Sequence, residues 1–204
     1  DLIGDKRFLW PKRPASETIA LVETDPPSLA RIGVWPWPRR HHARLVEQLE
    51  AAGVTDILFD IDFSARSNPA DDAAFAEALA KAGGSVVLAT FQQRAGGPNR
   101  GVTLHVNRPL PEFAAHSWPA VVNVLPETDG LVRRYGLGAR IGEFLPSFGA
   151  LLVARHDEQG PPFRIDFSIR ADPVPSVSYT AVLDGEPQAL ARLKGRKVIV
   201  AGTA

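Results

Sequence analysis

Cysteine is absent from the 204 residues, so the chain has no disulfide, no thiolate metal ligand and no cysteine nucleophile to offer. An oxidising compartment is compatible with that absence but does not follow from it. Methionine is missing too, the initiator included, and the chain opens at Asp1, so a segment cut from a longer protein is expected. Excess charge is also lacking: 23 Lys and Arg balance 23 Asp and Glu for a formal net charge of +0. That balance argues against a nucleic-acid partner, which normally meets a basic excess on one face. No apolar run approaches the roughly 18 residues needed to cross a bilayer. Ser85–Phe91 and Phe144–Ala154 come nearest, and the second is interrupted by Pro146 and Gly149. No stretch is organised as a secretory signal peptide, no repeat of fixed period occurs, and no low-complexity linker divides the chain.

What is present is the composition of an ordinary globular protein, 45% hydrophobic and 23% charged. The length suits one α/β domain, here residues 1–204, with Asp1–Ser16 as an aperiodic surface lead-in. Thr18–Thr24 is apolar and closed by Asp25-Pro26-Pro27, which predicts a buried strand. Pro38 is predicted at the first position of a helix that buries Leu45, Val46, Leu49 and Ala52 and stops at Gly53. Thr55–Phe59 is the next strand, which makes a βαβ unit with the first two strands as parallel neighbours. The pattern repeats with Asn68-Pro69 and Asp71-Asp72 opening a helix that ends at Gly83-Gly84, then a strand over Ser85–Thr90.

Beyond a glycine-rich loop at Gln92–Arg100 the signals weaken. Val102–Val106 alternates weakly, Pro109–Phe113 is broken by proline, and Ala120–Val124 reads as a strand. The Asp129-Gly130 turn is expected to return Leu131–Leu137 antiparallel onto that strand. A short helix follows from Pro146 or Ser147 to Ala154, with an alternating strand over Phe163–Ile169. Short helical turns at Ser178–Leu183 and Ala189–Leu193 precede a last buried strand, Lys197–Ala201. The fold class is α/β, a mostly parallel central sheet flanked by helices, with an irregular or antiparallel middle section.

In this arrangement Asp25, Asp60 and Asp62 fall at the carboxyl ends of the first strands, the edge where open α/β sheets bind ligands. Three carboxylates suit Mg²⁺ or Ca²⁺; alternatively they cap helices and brace loops around Arg39. Arg39, Arg40, His41 and His42 put cations in a first helical turn, against the macrodipole. Pairing of Arg39 with one of those aspartates is the structural answer, and an anion at the helix N-terminus the functional one. His41 and His42 point about 100° apart and make poor joint ligands; His105, His116 and His156 lack ligand spacing and are expected in solvent. Trp35 and Trp37 flank Pro36 as a packed corner or as an aromatic partner contact. Asp71 and Asp72 need no role beyond the helix start, and Asp129-Gly130 with Arg133 reads as a turn braced by an arginine. The pocket expected from all this gathers Asp25, Arg39, Asp60 and Asp62, with Asp129 and Arg133 as outer members.

Two enzyme motifs bear on the chain. Ile57–Ser64 resembles the nucleophile strand of haloacid-dehalogenase-type phosphatases, with Asp60 as nucleophile and Asp62 as acid/base in an Mg-dependent phosphoryl transfer. Ser64 departs from that pattern, a later acidic pair is missing, and Lys194 and Lys197 are weak candidates for the lysine. No Gly-x-Ser-x-Gly elbow exists, and Gly195–Lys197 lacks the glycine pattern of a phosphate loop.

One resemblance spans nearly the whole chain. Asp25 with Ser28-Leu29, Ile32–Arg39, the helix with His42, Gly53, the strand to Phe59–Phe63, and Pro69–Asp72 resemble positions of the CHASE2 domains. So do Asn123-Val124, Asp129–Arg134, Pro146-Ser147-Phe148, Val177-Ser178-Tyr179 and Leu193–Val200. These are extracytoplasmic sensor modules of bacterial transmembrane receptors. The resemblance implies a periplasmic, non-enzymatic ligand-sensing domain without cofactor or metal. Membrane helices are implied outside both ends, with a cyclase, kinase or cyclic-dinucleotide enzyme as the output domain of the same polypeptide. The stimulus is an unspecified small molecule or protein, a homodimer is a further arrangement, and no binding residue carries over. A structural dimerisation module with Trp35 and Trp37 as contacts is the remaining alternative. The basic loop Arg94–Arg100 is where specificity is expected to vary.

Overall fold

Short-range rules account for most of the elements. The computed structural model describes residues 13–95, 103–155, 159–170 and 174–202, with backbone alone at 94, 95 and 103. Strand β1 (Arg13–Pro14) is a brief exposed piece, and β2 (Ile19–Thr24) buries Ala20 and Val22 on one face. Asp25 then caps helix α1 (Pro26–Ile32), with Oδ1 accepting from the Ser28 amide. The Asp-Pro-Pro sequence thus marks a helix start, a cap followed by prolines in the first turn. Helix α2 (Arg39–Ala51) begins one residue later than predicted, because Pro38 is its N-cap rather than its first residue. Gly53, at φ +77°, takes the left-handed conformation that stops it.

Strand β3 (Asp56–Phe59) leads to α3 (Pro69–Lys81), whose cap Asn68 accepts from the Ala70 amide at 2.9 Å as the sequence predicts. Strand β4 (Val86–Ala95) is ten residues long, so the first part of the expected loop is strand, and the rest of that loop, through Arg100, lies outside the described residues. Then come β5 (Thr103–Asn107), α4 (Pro111–Ala114), β6 (Trp118–Val121), β7 (Arg134–Tyr135), β8 (Gly138–Ile141) and β9 (Glu143–Pro146). Helix α5 (Phe148–Leu152) is capped by Ser147. The chain closes with β10 (Phe163–Arg164), β11 (Ile169–Arg170), β12 (Ser176–Ser178), α6 (Tyr179–Leu183), α7 (Pro187–Leu193) and β13 (Lys197–Gly202).

The main sheet has the order β12-β2-β13-β3-β4, with β6 parallel on the outer side of β4 and β5 antiparallel to its far half. All pairings except β4–β5 are parallel. The predicted α/β class with a mostly parallel sheet therefore holds, but the predicted neighbours do not. Strand β13 stands between β2 and β3, bonded to both. Its apolar Val-Ile-Val core is the reason: a strand with no polar side to turn to water is most stable in the middle of a sheet. Helix α2 packs against α3 on one side and α6 on the other, all on one face of the sheet. Ile57, Phe59, Val86, Leu88, Val198 and Val200 form the core beneath them, while Leu58, Val87, Ala89 and Ala120 meet Phe148 on the other face.

Two middle-region expectations are corrected. Arg134-Tyr135 pairs with β10 rather than folding back onto β6, which lies parallel to β4. The alternating run at 163–169 is not one strand but two short ones in different pairings. At 163–169 the alternation does not mark a buried face either: Phe163, Phe167 and Ile169 are exposed and Ser168 is buried. Among the described residues, no helix is long and apolar enough to cross a membrane.

Candidate functional site

A cavity of about 380 Å³ opens at the carboxyl edge of the sheet, between the Trp35–Trp37 turn, the start of α2 and the 61–67 loop after β3. Its walls include Trp35, Trp37, Arg39, His42, Asp62 and Arg66. The turn is held by its own side chains. The Trp35–Pro36 peptide is cis, the Trp37 indole Nε1 donates to Gly33 O at 2.9 Å, and the two indole rings meet edge-on at 5.1 Å. Trp37 is 3% exposed and Trp35 40%. The tryptophan pair is thus split between the two readings considered for it: Trp37 is core, Trp35 is available at the cavity.

Arg39 does not pair with Asp25, Asp60 or Asp62. Its Nη1 donates to Asp72 Oδ1 at 2.6 Å, its Nη2 donates to Ala65 O, and its guanidinium lies over the Phe113 ring at 5.0 Å. Arg40 reaches Asp71 at 3.0 Å in the same way. Helices α2 and α3 lie side by side on parallel crossovers, so their N-termini are neighbours. The acidic first turn of α3 therefore suits its own dipole and neutralises the basic first turn of α2. Asp71 and Asp72 have a role beyond the helix start after all; Asp72 also accepts from the Ser67 amide at 3.0 Å.

His42 was missed as a site residue, although positions 42, 45, 46 and 49 share one helical face. It is 2% exposed, packed among Trp35, Phe59, Phe63 and Tyr179. Its Nδ1 lies 2.8 Å from the Tyr179 hydroxyl, which is itself fully buried. Burial, then the charges of His41 and Arg39, push the imidazole pKa down to about 3, so the ring is neutral. Burial holds the Tyr179 hydroxyl proton on well above its ordinary value. A buried hydroxyl needs to donate, and Nδ1 is its acceptor. This assigns the ring proton to Nε2. Among the described residues that nitrogen has no hydrogen-bond partner, yet the only side-chain N or O among them sealed from solvent without a partner is Thr90 Oγ1. Nε2–H therefore reaches the cavity.

Asp62 is the wall's carboxylate. Oδ1 accepts from the Ser64 amide and Oδ2 from Asn107 Nδ2, each at 2.8 Å. Burial works to raise its pKa, but the hydrogen bonds from Ser64 and Asn107 and the charge of Arg39 win and hold it below the ordinary value. Asp60 is no wall residue; it is exposed, and burial of its surroundings raises its carboxyl. Asp25, two strands away across β13, is engaged with Ser28 and Ser178. Burial opposes its ionisation, and those hydrogen bonds outweigh it and lower the pKa. Asp129 and Arg133 form their own braced turn, at 2.7 Å, away from the cavity walls. The expected convergence is thus reduced to Arg39 and Asp62.

The carboxylate cluster and the phosphatase arrangement are not assembled either. Among the described residues, no three His, Asp or Glu side chains gather closely enough to hold a metal ion. Lys197 pairs with Asp56 at 3.0 Å at the start of β3, and Lys194 packs by Gly53; both lie at the edge opposite Asp60. His105 and His116 are exposed, and His156 lies outside the described residues.

In comparisons with known proteins, no curated protein and no solved structure matches the chain. The CHASE2 domain family is matched over residues 2–204, essentially end to end. With an α/β sheet and an aromatic-walled cavity at its carboxyl edge, the chain belongs to the CHASE2 domains, a family of extracytoplasmic sensor modules.

Proposed function

We propose that this chain is the ligand-sensing domain of a transmembrane receptor, that it is not itself an enzyme, and that its stimulus enters the cavity walled by Trp35, Arg39, His42 and Asp62. The cavity carries the reading. It is at the small end of the roughly 300–1,000 Å³ range of ligand pockets. It also joins elements that a ligand would have to hold together: the turn before α2 and the loop after β3. A ligand bridging them biases the relative position of α2 and the sheet, and membrane helices of the same polypeptide carry that shift to a cytoplasmic output domain.

The test is thermal denaturation of this chain against a broad metabolite panel, with tryptophan emission read in parallel. Compounds that raise Tm and alter emission in the parent but not in Trp35→Ala are expected. Stabilisation that survives Trp35→Ala unchanged, or a panel without effect, sinks this reading. A structural dimerisation module is the second reading, and the exposure of Trp35 favours it; that reading expects a dimer by sedimentation that Trp35→Ala dissociates.

A further inference from the structure

Around the cavity, cations and carboxylates are matched with one exception. Arg39 is paired with Asp72, Arg40 with Asp71, and Arg66 with Glu112. Asp62 is ionised in the wall, its two oxygens accept one neutral N–H each, and among the described residues no cation forms an ion pair with it, although the charge of Arg39 reaches it. Asp62 is exposed at the rim of the cavity, beside the half-exposed indole of Trp35. The second unmatched group has the opposite hydrogen-bonding sense. His42 Nε2–H is a neutral donor on a 2%-exposed side chain at the inner wall, fixed in that tautomer by Tyr179.

A ligand that satisfies both needs an acceptor at its inner end and a cationic donor at its outer end. Aromatic walls suit the cation and the apolar remainder alike, since an indole face attracts an ammonium and buries carbon. The inner donor takes an acceptor oxygen, and a carboxylate offers a stronger hydrogen bond than a neutral carbonyl. A neutral sugar would gain little from the Asp62 charge, and a simple anion would be opposed by it. Resting on the reading of this cavity as the sensory site, we infer that the ligand class is the small zwitterion of the α-amino acid type. Its ammonium sits on Asp62, its carboxylate on His42 Nε2–H and its side chain on Trp35.

The probes are the free L-amino acids, their N-acetyl derivatives, the matching decarboxylated amines, and neutral hexoses, each titrated calorimetrically into the chain and followed by Tm. At least one free amino acid is expected to bind, with the N-acetyl and decarboxylated partners weakened at least tenfold. Asp62→Asn keeps an acceptor for the Ser64 amide, so the fold survives while the charge goes; a tenfold or greater loss of affinity is expected, with partial recovery in Asp62→Glu. Tyr179→Phe releases the His42 tautomer and is expected to weaken binding severalfold. Circular dichroism of each unliganded variant checks that it is folded. Amino-acid binding indifferent to Asp62→Asn overturns the inference. Hexose or anion binding that depends on Trp35, without amino-acid binding, overturns the ligand class and leaves the sensory cavity standing. No Trp35-dependent binding by any probe class overturns the class, and the broad panel then decides whether the cavity reading falls with it.

Discussion

Two buried arginines in this molecule do different work. Arg39 and Arg133 are 6% and 7% exposed, and each is bound to carboxylates. Around Arg39 the partner is dry as well: the Asp72 side chain is 7% exposed, and both ends are built on long helices. Around Arg133 the carboxylates of Asp129 and Glu127 are wet, at 46% and 37%, and belong to one local turn. The first pair ties together elements 33 residues apart and sets one wall of the cavity. The second braces a segment against itself. Burial of the arginine is the same; what differs is whether water can replace its partner when the pair breaks.

The largest expected effect follows from that. Asp72→Ala leaves Arg39 buried and uncompensated, a loss of about 3–5 kcal/mol in stability. Urea denaturation that finds less than 1 kcal/mol would erase the contrast. Next is acid sensitivity. The folded pKa of His42 lies near 3 against an ordinary 6.5, so below 6.5 the unfolded chain binds the proton that the folded one refuses. Stability is full above 6.5 and falls with pH through that window, by about 2 kcal/mol between pH 7 and pH 5. Asp129, lowered by its hydrogen bond to Arg133, contributes above its ordinary 3.8 and loses that contribution only as pH falls through its lower folded value. Denaturation at pH 7, 5 and 4 separates the two regions. Tyr179→Phe, which removes the donor to His42 Nδ1, is expected to cost about 1–2 kcal/mol. Asp129→Asn comes last, with the smallest loss of the series, because water and Glu127 replace the lost contact. A larger loss there than in Asp72→Ala would reverse the comparison.

Much of the frame is legible in single residues. Asn68 and Ser147 sit before helices and cap them, whereas the helix that Asp25 caps, Pro26–Ile32, was not expected from the sequence. Gly53 stops α2, and the apolar strands at 19–24, 56–59 and 197–202 are where patterning puts them. These are local facts: a cap, a left-handed turn and a buried strand depend on neighbours a few residues away. Strand β12 escaped notice because three residues, Ser176–Ser178, carry too little pattern. The site was less legible. Trp35, Arg39 and Asp62 stand out in the sequence, and the arginine's need for a carboxylate is clear from its place in the first helical turn. Its choice of Asp72 is not, because nothing in the linear order says that α2 and α3 set their N-termini side by side.

By itself, then, the sequence determined the α/β class, the element boundaries near their caps, and the family to which the chain belongs. It also made plain that cysteine thiol chemistry is unavailable to the protein. Only the tertiary structure decided which candidates meet. Inserting β13 between β2 and β3 separated Asp25 from Asp62. The crossover geometry gave Arg39 to Asp72. The meeting of α6 with α2 put the Tyr179 hydroxyl on His42, 137 residues away, and turned an apparently ordinary helix residue into a fixed donor at the cavity wall. The physical reason is that local structure is set by φ, ψ and short-range hydrogen bonds, whereas strand order and side-chain pairing are set by which apolar surfaces bury each other across the whole chain.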